Sequence, residues 1–289
     1  MNVKDVLLVT FSPTRTSWRI GEAIARGTSY ENVRVLDLTY ETEETPIEVS
    51  AETLLVVAVP VYGGKVAPPA LKRMSGLKLS GTPVVLVALY GNRAYEQALV
   101  ELEGFITGKG GQIVAAGAFV GEHSYSVKAH PVAAGRPDVR DLEVAEAFGR
   151  NIRLKLDKEP VETVNTADLP DKAMATEEML RFRGDVQAAL KGGAVVPQTP
   201  SVDEALCNHC GTCVSQCPTQ AIVEGEETMT IADRCIRCCA CVKVCPQQAR
   251  TFDTPFSALL SKHFGEQKEN KMLNSTCKCN RILINNLFK

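Results

Sequence analysis

Cys207-x2-Cys210-x2-Cys213-x3-Cys217-Pro218 is written twice in this sequence. It returns, at one constant offset, as Cys235-x2-Cys238-x2-Cys241-x3-Cys245-Pro246, and Ala221 recurs as Ala249. The spacing is the bacterial run for [4Fe–4S] clusters. Iron takes soft, anionic sulfur donors, and a short turn-rich loop lets three thiolates converge on one cube. The fourth cysteine, followed by proline, turns away and serves the other cluster. The expected ligand sets are therefore Cys207, Cys210, Cys213 and Cys245 for cluster I, and Cys235, Cys238, Cys241 and Cys217 for cluster II.

Zinc and disulfides are the rival uses of so many cysteines. Zinc sites pair Cys-x2-Cys across a longer loop or mix Cys with His, and disulfide frameworks belong to small secreted chains. Neither fits a duplicated four-cysteine run, which resembles the bacterial two-cluster ferredoxins. Cys239, beside Cys238, has no counterpart in the first run and reads as a small buried side chain rather than a ligand. Cys277 and Cys279 stand in a tail without companion cysteines and read as non-ligands.

Upstream of the runs, apolar stretches alternate with helical periods. Val6-Leu7-Leu8-Val9, the stretch 54–59 and the stretch 84–89 are nearly unbroken apolar runs, as in central parallel strands covered on both faces. The more polar 33–38 suits an edge strand, and 113–120 is a fifth strand. Helices are predicted over 68–74, 95–106 and 138 to about 156. Five strands separated by helices describe an α/β, doubly wound parallel sheet, in the order 2-1-3-4-5. In such sheets the ligand sits beyond the carboxyl ends of the strands.

Three loops leave those ends. The first holds Ser12, Thr14, Arg15, Thr16 and Ser17 and runs into a helix, gathering hydroxyls and backbone N–H groups where a phosphate dianion is stabilised. A simple N-cap needs fewer hydroxyls. The second is Pro60-Val61-Tyr62-Gly63-Gly64, a tight turn with an aromatic at its crest. The third is Gly91-Asn92-Arg93-Ala94-Tyr95. Singly, Tyr62 or Tyr95 reads as a packing residue. Together, a planar ring between two aromatic-bearing loops with its phosphate at the first describes flavin mononucleotide (FMN).

Over about residues 1–156 and 203–270 the chain resembles the flavodoxin–ferredoxin fusion proteins of anaerobic bacteria. Ser12-x-Thr14 with Thr16-Ser17 is similar to the flavodoxin phosphate loop, 60–64 to the first ring loop, and 91–95 to the second. Residues 121–124 and 135–138 are also similar, without an assigned role. The resemblance implies a flavodoxin-like FMN-binding domain (1–156) and a small α+β two-[4Fe–4S] ferredoxin-like domain (203–252). A linker with one helix near 175–190 lies between them (157–202), and a C-terminal helix and poorly ordered tail follow (253–289). Arg15 stands where flavodoxins have glycine. Arginine is costly there if the position needs φ > 0, yet a guanidinium can also pair with the phosphate.

With 289 residues and a formal net charge of −2, the sequence shows no basic stripe for nucleic acid. It shows no apolar run near the ~18 residues of a membrane span. The N-terminus lacks the basic and apolar regions of a signal peptide, so a cytoplasmic protein is expected. Glu122-His123-Ser124 are neighbours in sequence and cannot form a catalytic triad, so no catalytic residue is assigned. The expected function is an electron relay: one-electron clusters coupled to FMN, passing low-potential electrons between redox partner proteins. The alternatives are an FMN-dependent iron–sulfur reductase of a small acceptor, and a cluster-only carrier that has lost FMN. A loose linker would let the cluster domain swing between the flavin and an outside partner.

Overall fold

A computed structural model describes residues 2–41, 46–158 and 160–274 of the chain. Strand β1 (Asp5–Thr10) leads into helix α1 (Thr16–Gly27) and edge strand β2 (Val33–Asp37). Next come a short β3 (Ile47–Val49), the long β4 (Thr53–Tyr62), its antiparallel flap β5 (Lys65–Val66) and α2 (Pro68–Arg73). A short β6 (Leu77–Leu79) pairs with β3, and β7 (Thr82–Tyr90), α3 (Ala98–Thr107), β8 (Gly111–Val120) and α4 (Val139–Leu156) complete the unit. The five long strands pair in parallel in the order β2-β1-β4-β7-β8, which is 2-1-3-4-5 when only they are counted. This is the flavodoxin-like sheet expected from the sequence.

Alternation along the strands splits the core in two. Val6, Leu8, Val56 and Val85 pack beneath α1 and α4, while Leu7, Val9, Val57 and Leu86 face the side of α2 and α3. Burial on both faces explains why β4 and β7 read as unbroken apolar runs. Asp138 caps α4 in a reciprocal capping box with Asp141, which fixes the helix start one residue beyond the cap.

The connector departs from the expected loose linker. Val164 N donates to Ile113 O (2.8 Å), Thr166 N to the Glu103 carboxylate (2.8 Å), and Asp171 accepts from Glu96 N (2.7 Å). Helix α5 (Glu177–Lys191) follows, capped by Thr176, with Met179 fully buried. Proline and glycine punctuation looked like looseness in the sequence. In the fold, residues 164–171 hydrogen-bond to the first domain and are held to it.

Strand β9 (Ser201–Val202) opens the cysteine-rich unit, whose two runs carry the single-turn helices α6 (Thr212–Ser215) and α7 (Ala240–Lys243). β10 (Arg250–Thr251) closes it by pairing with β9. Its own buried core is small and largely cysteine, with Cys213, Ile222 and Cys241 at the centre. The chain then turns back: α8 (Pro255–Phe264) packs on α5, and β11 (Lys271–Leu273) joins the main sheet antiparallel to β8. Residues 271–273, beyond the expected C-terminal helix, thus add a strand at the edge of the sheet. Asn270 fixes the return, accepting from Val120 N (2.9 Å) and donating to Asp141 (2.8 Å). Cys277 and Cys279 lie outside the described residues.

Candidate cofactor sites

The carboxyl ends of β1, β4, β7 and β8 surround a cavity of about 510 Å³, within the size range of cofactor pockets. Of the predicted residues, Ser12, Thr14, Thr16, Ser17, Pro60, Val61, Tyr62, Gly63 and Gly91 line it. In the first loop, Ser12 Oγ accepts from Trp18 N (3.1 Å) and Ser12 N donates to Thr39 Oγ1 (2.8 Å), which pins the turn into α1. Ser17 Oγ is buried and has no hydrogen-bond partner among the described residues. An orphaned hydroxyl at the start of α1, beside free helix N–H groups, fits an anionic group such as a phosphate.

Arg15 requires a correction. Its φ of 63° is left-handed, the conformation for which glycine is usual. Its guanidinium turns away from the cavity, pairing with Asp37 (2.9 Å) and lying 4.0 Å from the Trp18 ring centroid. The left-handed backbone costs roughly 1–2 kcal/mol. A half-exposed ion pair worth about 0–1 kcal/mol and a cation–π contact of about 0.5–1 kcal/mol offset most of it.

In the second loop, Gly63 and Gly64 take φ of 60° and 85° and make the turn between β4 and β5. Gly63 lines the cavity, while Gly64 sits behind it against Glu96. The third loop also departs from expectation. The Asn92 side chain donates to Phe264 O (2.6 Å) and Glu266 O (2.7 Å) and accepts from Lys268 N (2.9 Å). Buried Tyr95 donates to Leu169 O (3.1 Å) and packs its ring on Tyr90. Both residues hold the returning chain and the connector instead of facing the cavity.

Residues 121–125, which follow β8, form a fourth wall that sequence reasoning left without a role. They leave a strand's carboxyl end like the other three loops, and that placement was the available signal. His123 Nδ1 accepts from Tyr125 N (3.0 Å), so the neutral ring carries its proton on Nε2. Burial, with Arg93 and Lys243 nearby, pushes His123 down to about 4, leaving it uncharged at neutral pH. Phe182 and Val186 of α5 and Phe256 and Leu260 of α8 roof the cavity with apolar surface.

The cysteine-rich unit closes the remaining side. Ile236 and Arg237, between Cys235 and Cys238, line the same cavity. Burial pushes the Tyr62 phenol up, and the neighbouring Cys238 and Cys239 add to the rise. Lys243 of α7 pairs with Glu122 (2.5 Å) across this junction.

Cys207, Cys210, Cys213 and Cys245 ring a second cavity together with Arg250. Three members come from one run and the fourth from the other. Cys217, Cys235, Cys238 and Cys241 lie within electrostatic reach of one another. Burial pushes Cys238 and Cys241 up to about 12, so loading a metal there must displace protons. Ala221 N donates to Cys217 Sγ (3.1 Å) and Ala249 N to Cys245 Sγ (3.3 Å), so the same backbone contact is made in both runs. Cys239 adopts φ 57° ahead of α7, where the first run has Gly211 at φ 70° ahead of α6. Its buried sulfur contacts Arg237 O (3.6 Å).

Residues 199–246 match the family described as 4Fe-4S dicluster domain. No curated protein matches the chain. Among solved structures, a flavodoxin from the domain Archaea is 16% identical, with 53% of this chain and 99% of that one covered and a TM-score of 0.39. The Streptococcus pneumonia TIGR4 flavodoxin is 18% identical, with coverage of 52% and 99% and a TM-score of 0.36. Flavodoxin 1 from Bacillus cereus is 16% identical, with coverage of 51% and 96% and a TM-score of 0.37. The strand order, rather than these distant likenesses, defines the fold. A flavodoxin-like domain followed by an iron–sulfur domain is an architecture that supports an electron-transfer role. It is built as a flavodoxin–ferredoxin fusion. Among the described residues no helix is long and apolar enough to cross a membrane.

Proposed function

We propose that this protein is an internal electron relay, carrying single electrons through two [4Fe–4S] clusters to and from FMN. Cys207, Cys210, Cys213 and Cys245 hold cluster I, and Cys235, Cys238, Cys241 and Cys217 hold cluster II. Ser12, Thr14, Thr16 and Ser17 take the FMN phosphate. Tyr62, Gly63, Gly91 and residues 121–125 frame its ring. The clusters supply one-electron transfer, and the flavin supplies one- or two-electron storage.

The observation that carries this reading is the position of Ile236 and Arg237. The loop between two cluster II ligands is itself a wall of the flavin-type cavity. Cluster II is therefore the one next to the flavin, and cluster I, with Cys210 exposed, is the outer terminal for a redox partner protein. Neutral His123 places an N–H donor but no charge at the ring. The apolar side chains of α5 and α8 keep water from it. The Lys243–Glu122 pair holds the two sites together. Cluster I, cluster II and flavin then form one line within a single chain.

Purification without oxygen, followed by iron and flavin analysis, tests the assignment. About eight irons and one FMN per chain are expected. Eight irons with no flavin after reconstitution would overturn the relay in favour of a cluster-only carrier. Stopped-flow mixing of the reduced protein with small acceptors tests the relay against a reductase. The relay requires electrons to pass to protein carriers rather than turn over on one small acceptor.

A further inference from the structure

The two cysteine runs are repeats, but the residue that follows the repeated alanine differs: Ile222 after Ala221, Arg250 after Ala249. Ile222 is buried in the small apolar core with Cys213 and Cys241. Arg250 is also buried, at 3% exposure, and lines the cavity ringed by Cys207, Cys210, Cys213 and Cys245. Its Nη2 donates to Thr230 Oγ1 (2.7 Å), while Nε and Nη1 are buried without a partner among the described residues. A buried guanidinium with unmet donors is costly unless an anionic acceptor meets it.

We infer that Arg250 is the buried cation of the cluster I site and makes that cluster easier to reduce than it would be with an apolar residue there, such as the Ile222 that holds the corresponding place in the other run. This rests on the two-cluster reading above. Reduction delivers one electron from an external one-electron reductant to cluster I. No proton or leaving group moves, so the four-thiolate site gains one negative charge. Arg250 offsets that charge, and its unpartnered N–H groups have cluster sulfur as their acceptor.

The test is an EPR-monitored redox titration of the purified holoprotein with Arg250→Ile and Arg250→Lys. The cluster I wave is identified as the one missing in Cys213→Ala. Arg250→Ile should keep its iron and move the cluster I midpoint to more negative potential, by more than cluster II moves. Arg250→Lys should stay near the parent. If Arg250→Ile loads less iron, Arg250→Gln is read in its place. An unchanged cluster I wave, a shift confined to cluster II, or an equal shift with Lys would each overturn the inference. A parent protein with about four irons and one wave would instead sink the two-cluster reading.

Discussion

Arg73 Nη2 donates to the carbonyl of Pro218 at 2.5 Å, the residue directly after Cys217. The same guanidinium donates through Nη1 to Leu38 O (2.8 Å) and Thr39 O (2.6 Å) at the end of β2. One buried side chain therefore fastens the loop that follows Cys217 to the flavodoxin-like sheet. Tyr40 adds a second tie, donating to Gln216 (2.8 Å).

Removing that strap should loosen the junction. Arg73→Ala leaves three carbonyls without their charged donor, and bonds to charged groups contribute roughly 1.5–3 kcal/mol each at most. A loss of roughly 3–5 kcal/mol is expected, read as a lower thermal midpoint. Slower electron transfer between cluster II and flavin, read by rapid mixing, should accompany it. An unchanged transfer rate would mean that Arg73 stabilises the fold without setting the junction.

Ser12 and Ser17 should separate structure from binding. Ser17→Ala deletes a hydroxyl that has no partner among the described residues, so stability without flavin should hold or rise, while FMN affinity falls about tenfold. Ser12→Ala removes the acceptor for Trp18 N and should lower both. Fluorescence titration with FMN alongside thermal denaturation reads the two effects. A Ser17→Ala variant with unaltered FMN affinity would move the phosphate site elsewhere.

Arg15→Gly should be nearly silent. It relieves the left-handed backbone but loses the Asp37 pair and the Trp18 contact, so stability should stay within about 1 kcal/mol. FMN affinity should also hold, because the guanidinium faces away from the cavity. A severalfold loss of FMN binding would return Arg15 to the phosphate site.

Iron removal should act on the cysteine-rich unit alone. The core around Cys213, Ile222 and Cys241 is too small to hold 203–252 alone. Chelation should open that region to limited proteolysis while the sheet of β1, β2, β4, β7 and β8 keeps its circular dichroism. Cys213→Ala should lose cluster I preferentially. Full iron content in that variant would contradict the ligand assignment.

Acid stability should report His123. Its folded value lies near 4, below the ~6.5 of an unfolded histidine. Between those values the unfolded chain binds more protons, so this group's contribution is full above about 6.5 and is lost as pH falls toward 4. His123→Asn should flatten that part of the stability–pH curve, measured by denaturant titration at several pH values. A curve parallel to the parent's would show that the buried imidazole is not the group responsible.

The alternation of Val6 to Val9 and the unbroken runs in β4 and β7 made the sheet legible, because burial on two faces leaves a mark in composition. Cysteine spacing likewise displayed the ligand candidates, since a cube must be reached from a short loop. Asn92 and Tyr95 misled, because a polar or aromatic residue beside a strand end serves ligand or chain equally well. Only the return of residues 264–268 shows which. The tie of the connector to Glu96 and Glu103 left no periodic trace either, since it runs through single hydrogen bonds between distant residues.

The sequence alone determined a doubly wound domain, a duplicated cysteine unit and the loops at the strand ends, all consequences of local period and spacing. It could not order them in space. Two runs with the same spelling are equivalent until something asymmetric breaks the tie, and here that is Arg73 on Pro218 and Lys243 on Glu122. Those contacts join residues far apart in sequence and turn the second run's Ile236 and Arg237 toward the cavity. Tertiary packing, by pairing surfaces that share no local pattern, decided which run faces the flavin-type cavity.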